Sequence, residues 1–275
     1  MKVCLSAMSA QTFLNCLVRR ARVRRWGSRS ELVVLRGRPI RFSVIDGDSG
    51  DQLRAGYESE VLDFIDSLSS RSILYDLGAS IGHFALYAAS RGVTTIAFEP
   101  DPANFGALEA NIRANHFKNM TIAAIAISDR NDDAMVLRSD SSKPRVGDHH
   151  KVLEGDTFSG YDDIGLQLDR AVNVRAMSLD SAIEILKLPA PTALKVDIDG
   201  SELAFVRGAE RTLRDDRLKS VLIELWKPSK HYSVIVAALE AAGLEATSEH
   251  QVYSGCGIEK GLYNIRFDRI ISYAT

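Results

Sequence analysis

The residues that could do chemistry sit in two short stretches, ILYDLGASIGHF at Ile73–Phe84 and TALKVDIDGSE at Thr192–Glu202. In the first, a hydrophobic run meets Asp76, and Gly78 and Gly82 stand four residues apart before a helix-like segment. In an open α/β sheet, ligands bind beyond the carboxyl ends of the strands. There Gly78 allows a tight turn, Gly82 lets the next helix pack closely, and both let a ligand approach the backbone. The spacing is not the dinucleotide fingerprint GxGxxG, because Ser80 stands where a middle glycine would admit a pyrophosphate. Asp76 also puts a negative charge where phosphates would sit, which suits an ammonium instead. The next strand-like run, TTIAFEP, ends in Glu99. An acid about 20 residues after such a turn is the expected acceptor for two ribose hydroxyls. The pair describes a nucleoside carrying an amino acid and no phosphate, which is S-adenosylmethionine. Each half has a plainer alternative: a turn glycine of any α/β protein, and a solvated acid at a strand end.

The second stretch crowds Asp197, Asp199 and Glu202 at the end of another strand-like run. Carboxylates this close repel, which raises some of their pKa values and suits them to act as a base or to hold a hydroxyl. A sulfonium methyl is already activated, so its transfer asks mainly for a positioned oxygen and a base for the proton. Asp197 and Asp199 are therefore the candidate catalytic residues. Glu202 reads better as the first residue of a helix, facing its dipole. Lys195 can offset the repulsion. Such acids can also hold a divalent cation, but no histidine or further acid lies at ligand spacing, so no metal is expected. His83 can face the cofactor or simply cap and pack. His149 and His150 read as solvated loop residues. Glu224 and Trp226 end a later strand on the same edge, where the tryptophan reads as packing.

These residues need a sheet to position them. SILYDLG, TTIAFEP, MTIAAIAIS, TALKVDIDG and KSVLIELW read as buried strands, and GHFALYAASRG, NFGALEANIRANH, ELAFVRGAERTLRD and YSVIVAALEAAG as the helices between them. That alternation predicts an α/β fold with a mostly parallel sheet and right-handed crossovers. ELVVLRGRPIRFSVI predicts two small N-terminal strands, within residues 31–56. LEATSEHQVYSG and LYNIRFDR predict an antiparallel pair that closes the sheet. Residues 139–165 are polar and without period, either a functional lid or a disordered insertion.

The 275 residues suit one large domain, taken as 31–275, after a leader of 1–30. The net charge of -2 hides an asymmetry: seven basic residues precede the first acid, Glu31, leaving 27 basic against 36 acidic residues beyond them. An acidic body is a poor partner for a phosphate backbone, so no nucleic-acid substrate is expected. The basic leader reads as a solvated terminus or as an amphipathic helix that touches a membrane surface. No apolar run reaches the roughly 18 residues that span a bilayer. The three cysteines are scattered and form no CxxC pair, which fits a reducing, cytoplasmic setting.

YDLGASIGHFALYAA, AFEPDPANFGALEANIRANH, AISD and LKVDIDGSELAFVRGA, taken in this order, resemble the FkbM family of S-adenosylmethionine-dependent methyltransferases, with the likeness running over about Glu31–Ile235. The resemblance implies a class I methyltransferase fold, with seven strands and the last one antiparallel. It implies methylation of a hydroxyl oxygen on a sugar or natural-product scaffold. It assigns Asp76, Gly78 and Gly82 to the cofactor loop and Glu99 to the ribose, and puts Ser128 and Asp129 at the end of the third strand, near the adenine. Two positions depart from the family pattern: Asp199 replaces a usual glutamate, and Ser80 stands where many members have asparagine. The competing readings are a nicotinamide-dependent oxidoreductase, against which Ser80 and Asp76 count, and a non-catalytic scaffold of the same fold.

Overall fold

The computed structural model describes residues 30–43, 45, 58–139, 150–153, 170–254 and 257–270. The leader lies outside them, as does most of the insertion at 139–165. Thirteen strands and seven helices are present among the described residues. Seven strands form the central sheet: β3 (Ile73–Leu77), β4 (Thr94–Phe98), β5 (Met120–Ala123), β10 (Ala193–Val196), β11 (Ser220–Trp226), β12 (Leu244–Ser254) and β13 (Gly257–Arg269). Their order is β12-β13-β11-β10-β3-β4-β5, so the chain reverses direction across the sheet between β3 and β10. The pairs from β11 to β5 are parallel, and β13 inserts antiparallel between β11 and β12. This is the topology of a class I methyltransferase.

The parallel strands are short, apolar and covered on both faces, as buried strands of this kind must be. On one face Leu74, Ala193 and Leu222 pack under α1 (Ser59–Asp66), α2 (His83–Ser90) and the hairpin of β1 (Glu31–Leu35) and β2 (Arg38–Phe42). On the other, Tyr75, Leu77, Leu194 and Val196 pack under α4 (Leu179–Leu186), α5 (Glu202–Gly208), α6 (Glu210–Arg214) and α7 (Tyr232–Ala241). The helix α3 (Pro102–Asn115) starts where Asp101 accepts hydrogen bonds from Ala103 N (2.7 Å) and Asn104 N (3.2 Å), with Pro102 preset for the first turn. Asn111 and Asn115 then fasten α3 to the β2 end of the hairpin through Ser43 N and Arg41 N, each at 2.8 Å.

One expected strand is broken in two. MTIAAIAIS leaves the central sheet after Ala123, and its second half, β6 (Ala126–Ser128), joins a four-stranded sheet with β9 (Arg170–Ser178), β7 (Asp132–Ser139) and β8 (His150–Leu153). Ser128 and Asp129 therefore do not sit at the end of the third strand of the central sheet, as expected. Ser128 pairs with Ser178 of β9, and its carbonyl oxygen would lie 2.0 Å from a Cβ at Gly208, so it is pressed against the last turn of α5. The sequence pattern missed this because β6 is as apolar as β5, and both would fit either sheet. β8 also falls within the stretch expected to be a lid or disordered, and pairs antiparallel with β7.

Candidate active site

The first expected loop forms as a tight turn between β3 and α2. Gly78 N and Ala79 N both donate to Phe98 O at 3.0 Å, and Gly82 N donates to Ala79 O at 2.8 Å. Three residues take left-handed backbone: Gly78 (φ 84°), Ser80 (φ 51°) and Gly82 (φ 94°). What the two glycines approach is protein. A Cβ on Gly78 would meet the carbonyl oxygen of Asp197 at 1.7 Å, and one on Gly82 would meet Leu108 at 2.3 Å. Gly78 thus joins the end of β3 to the end of β10, and Gly82 lets α2 settle onto α3. Glu99, buried just past β4, braces the turn: Oε2 accepts from Ser80 N and Oε1 from Asp101 N, each at 2.8 Å.

The register of the parallel strands builds the second group. Lys195 lies opposite Asp76 on one side and Leu222 on the other. Side chains two apart share a face, so Asp76, Lys195, Asp197 and Glu224 all project toward the α1–α2 side. Lys195 Nζ lies 3.1 Å from Asp197 Oδ2 and 3.4 Å from Asp76 Oδ1, and 5.4 Å from the ring centre of Phe84. Asp76 is 1% exposed, and neither of its carboxylate oxygens has a hydrogen-bond partner. Glu58, buried just before α1, adds its charge to the group.

Burial raises the Asp76 carboxyl, with Lys195 opposing and Asp197 adding to the rise. Burial also lifts Glu224 well above its ordinary value, and the charges of Asp197, Glu58 and Asp199 push in the same direction. Burial on its own would lower the Lys195 ammonium, but Asp197, Asp76 and Glu58 outweigh it and hold the ammonium above its usual value. His83, the first residue of α2, is pushed down to about 3 by burial and by Lys195, so it is neutral at pH 7.

Asp199 (φ 49°) and Gly200 (φ 97°) turn the chain from β10 into α5. Glu202 opens α5, as expected, and its Oε1 accepts from Gly200 N at 2.9 Å. Its burial is stronger than a dipole-facing acid needs. Burial pushes the carboxyl up to about 7, against the backbone N–H groups of Gly200 and Glu202 and helped by Asp199 and Asp197. Trp226 lies against Gly261, where an added Cβ would come within 3.1 Å of its ring nitrogen.

The structure therefore brings together Asp76, Gly78, Glu99, Asp197 and Asp199 at one edge of the sheet. Gly82 lies one turn behind them, and Ser128 and Asp129 lie elsewhere. Sequence reasoning missed Glu58. It precedes α1 with left-handed backbone (φ 47°) and belongs to no motif, and only the docking of α1 delivers it. Among the described residues, no three His, Cys, Asp or Glu side chains are grouped so as to hold a metal ion. None of the described helices is long and apolar enough to cross a membrane.

Comparison with known proteins gives the family. The chain is 24% identical over 203 residues to methyltransferase sdnD of Sordaria araneosa, covering 67% of this chain and 78% of that one. It is 25% identical over 206 residues to the 31-O-demethyl-FK506 methyltransferase FkbM of Streptomyces tacrolimicus, covering 68% and 78%. It is 22% identical over 214 residues to the hexuronic acid methyltransferase AglP of Haloferax volcanii, covering 74% and 81%. Residues 76–243, which begin at Asp76 and include Glu99, Asp197, Asp199 and Glu224, match the methyltransferase FkbM domain, so the chain belongs to the FkbM family and is a methyltransferase.

Proposed function

We propose that the chain takes S-adenosylmethionine as methyl donor and methylates a hydroxyl oxygen of a saccharide or natural-product-like small molecule in the cytoplasm. The observation that carries the donor assignment is Asp76. A carboxylate almost wholly buried, with Lys195 at 3.4 Å, keeps negative charge just behind the turn, which favours a ligand ammonium and repels a phosphate. Glu99 fits the same donor. Each of its oxygens accepts a backbone N–H at 2.8 Å, which fixes the carboxylate just past β4, where a ribose acceptor is expected. A phosphate-bearing nucleotide fits this acid-lined turn poorly. The acceptor assignment is supported by two relatives whose names specify a hexuronic acid and a position on FK506.

When bound, the donor supplies a sulfonium methyl; transfer to a hydroxyl makes one carbon–oxygen bond, leaves the electron pair of the broken carbon–sulfur bond on sulfur, and frees one proton. Asp197 is the residue to take that proton. Its side chain is 28% exposed at the end of β10, whereas Asp76 behind it is closed off. Lys195 keeps Asp197 oriented, and Asp199 flanks it on the turn into α5. The test is titration calorimetry with S-adenosylmethionine, followed by labelled-methyl transfer into a panel of neutral glycans, uronic acids, glycolipids and macrolide alcohols. Binding with transfer into an ether is the expected result. No binding would refute the donor, and label recovered only in base-labile esters would refute the hydroxyl.

A further inference from the structure

The face shared by Asp76, Lys195, Asp197 and Glu224 has a charge problem. Among the described residues it sets three carboxylates around one ammonium, and the charge of Glu58 acts on the group from before α1. Lys195 is already engaged at 3.1 Å by Asp197 and at 3.4 Å by Asp76. Among the described residues, that leaves Glu224 without a short ion pair. Uncompensated charge in a half-buried site draws in either a cation or a proton. Asp76, buried behind Asp197 with Lys195 at 3.4 Å, adds negative charge that favours a cationic ligand here.

We propose that Glu224 is a proton-holding residue whose state follows the charge of the bound cofactor: protonated in the empty site, ionised beneath the sulfonium donor, and protonated again once the neutral thioether remains. The proposal rests on the donor assignment above. It gives the hydroxyl proton a destination. The proton leaves the acceptor oxygen for Asp197, and the negative cluster retains it on Glu224 as the positive charge on sulfur disappears. No other reactant is needed. The charges that act on Glu224 are Lys195 on β10, Asp197 and Asp199 on the following turn and Glu58 before α1. Asn264 stands opposite on β13, and the same crevice is lined by Glu202 from the start of α5 and by His231 and Tyr232 from the start of α7. Among these, Lys195 is the paired cation, and it is shared. The raised position of the Glu224 carboxyl agrees with the arrangement.

Linkage makes the idea measurable: a ligand that expels a proton binds more tightly as pH rises, and its binding heat depends on the buffer. Titration calorimetry at pH 7, in buffers of different ionisation enthalpy, counts protons released per ligand. Wild type should release a proton fraction with S-adenosylmethionine that is larger, by roughly half a proton or more, than with S-adenosylhomocysteine. Glu224→Gln should abolish that difference, while Glu58→Gln should shrink it without abolishing it. Infrared difference spectra of the unaltered protein, donor-bound minus product-bound, should lose a protonated-carboxyl band, which keeps the test alive if Glu224→Gln does not fold. Equal proton counts for the two ligands in wild type would overturn the proposal and leave the donor assignment standing. A difference that survives in folded Glu224→Gln would overturn it as well. Failure of both ligands to bind would overturn the donor assignment and the proposal with it.

Discussion

The two halves of the site solve the burial of acids in opposite ways. Beside β4, Glu99 is buried and fully provided for, since each oxygen receives a backbone N–H at 2.8 Å. Beside β10 and β11, Asp197 and Asp76 share Lys195 at 3.1 and 3.4 Å, and among the described residues Glu224 has no short ion pair. The first arrangement makes a rigid loop whose charge is quenched by dipoles. The second leaves negative charge to spare, where a cation is to bind and a proton is to be collected. The difference teaches that the binding half is built for shape and the reacting half for charge.

That contrast is sharpest in kinetics. Asp197→Asn keeps the side-chain shape and removes the charge. It should lower the turnover rate by a factor of about 100–10,000 and leave donor affinity nearly unchanged. Steady-state rates and calorimetry on the same protein separate the two. A loss of affinity with turnover kept at saturation would assign Asp197 to the binding half instead.

A second effect belongs to Glu202, which opens α5 at the reacting edge. Its carboxyl lies at about 7 in the folded chain against an ordinary 4.5. A raised acid binds its proton more tightly folded than unfolded, so its contribution to stability is complete below about pH 4.5 and is lost as pH rises through about 7. The loss is on the order of 3 kcal/mol. Denaturant titrations of wild type and Glu202→Gln from pH 5 to 8 should therefore diverge, with the wild type falling relative to the variant. Parallel curves would mean that Glu202 is solvated in solution.

Glu99→Gln probes the binding half. The amide nitrogen turns one acceptor into a donor facing a backbone N–H, at Ser80 or at Asp101. The cost should be about 1–3 kcal/mol, seen in the melting temperature and as weaker donor binding, with turnover at saturation changed least. Affinity that is unchanged in a folded variant would remove Glu99 from the cofactor site. The smallest effect expected is none: a chelator should leave methyl transfer intact. Activity lost to chelation and restored by magnesium would recast Asp197 and Asp199 as ligands and break the contrast between the halves.

Much of this site was legible in local pattern. Asp76, Gly78, Gly82 and Glu99 follow strands whose apolar runs announce them, and turn geometry needs only neighbours in sequence. Lys195, Asp197 and Asp199 share one motif, so their crowding was foreseeable too. The break of MTIAAIAIS into two sheets was not, because β5 and β6 are equally apolar and only the partner strand distinguishes them.

The sequence by itself determined the alternation of the central strands and helices, the placement of the glycine turn and the supply of acids, since each rests on periodicity and short-range sterics. Tertiary structure alone decided which charges meet. Parallel register puts Asp76 beside Lys195 across 119 residues of chain, the docking of α1 adds Glu58, and the absence of room at Gly78 is set by the carbonyl of Asp197. The physical reason is that electrostatic and packing energies depend on distances between residues far apart in sequence, and the fold alone sets those distances.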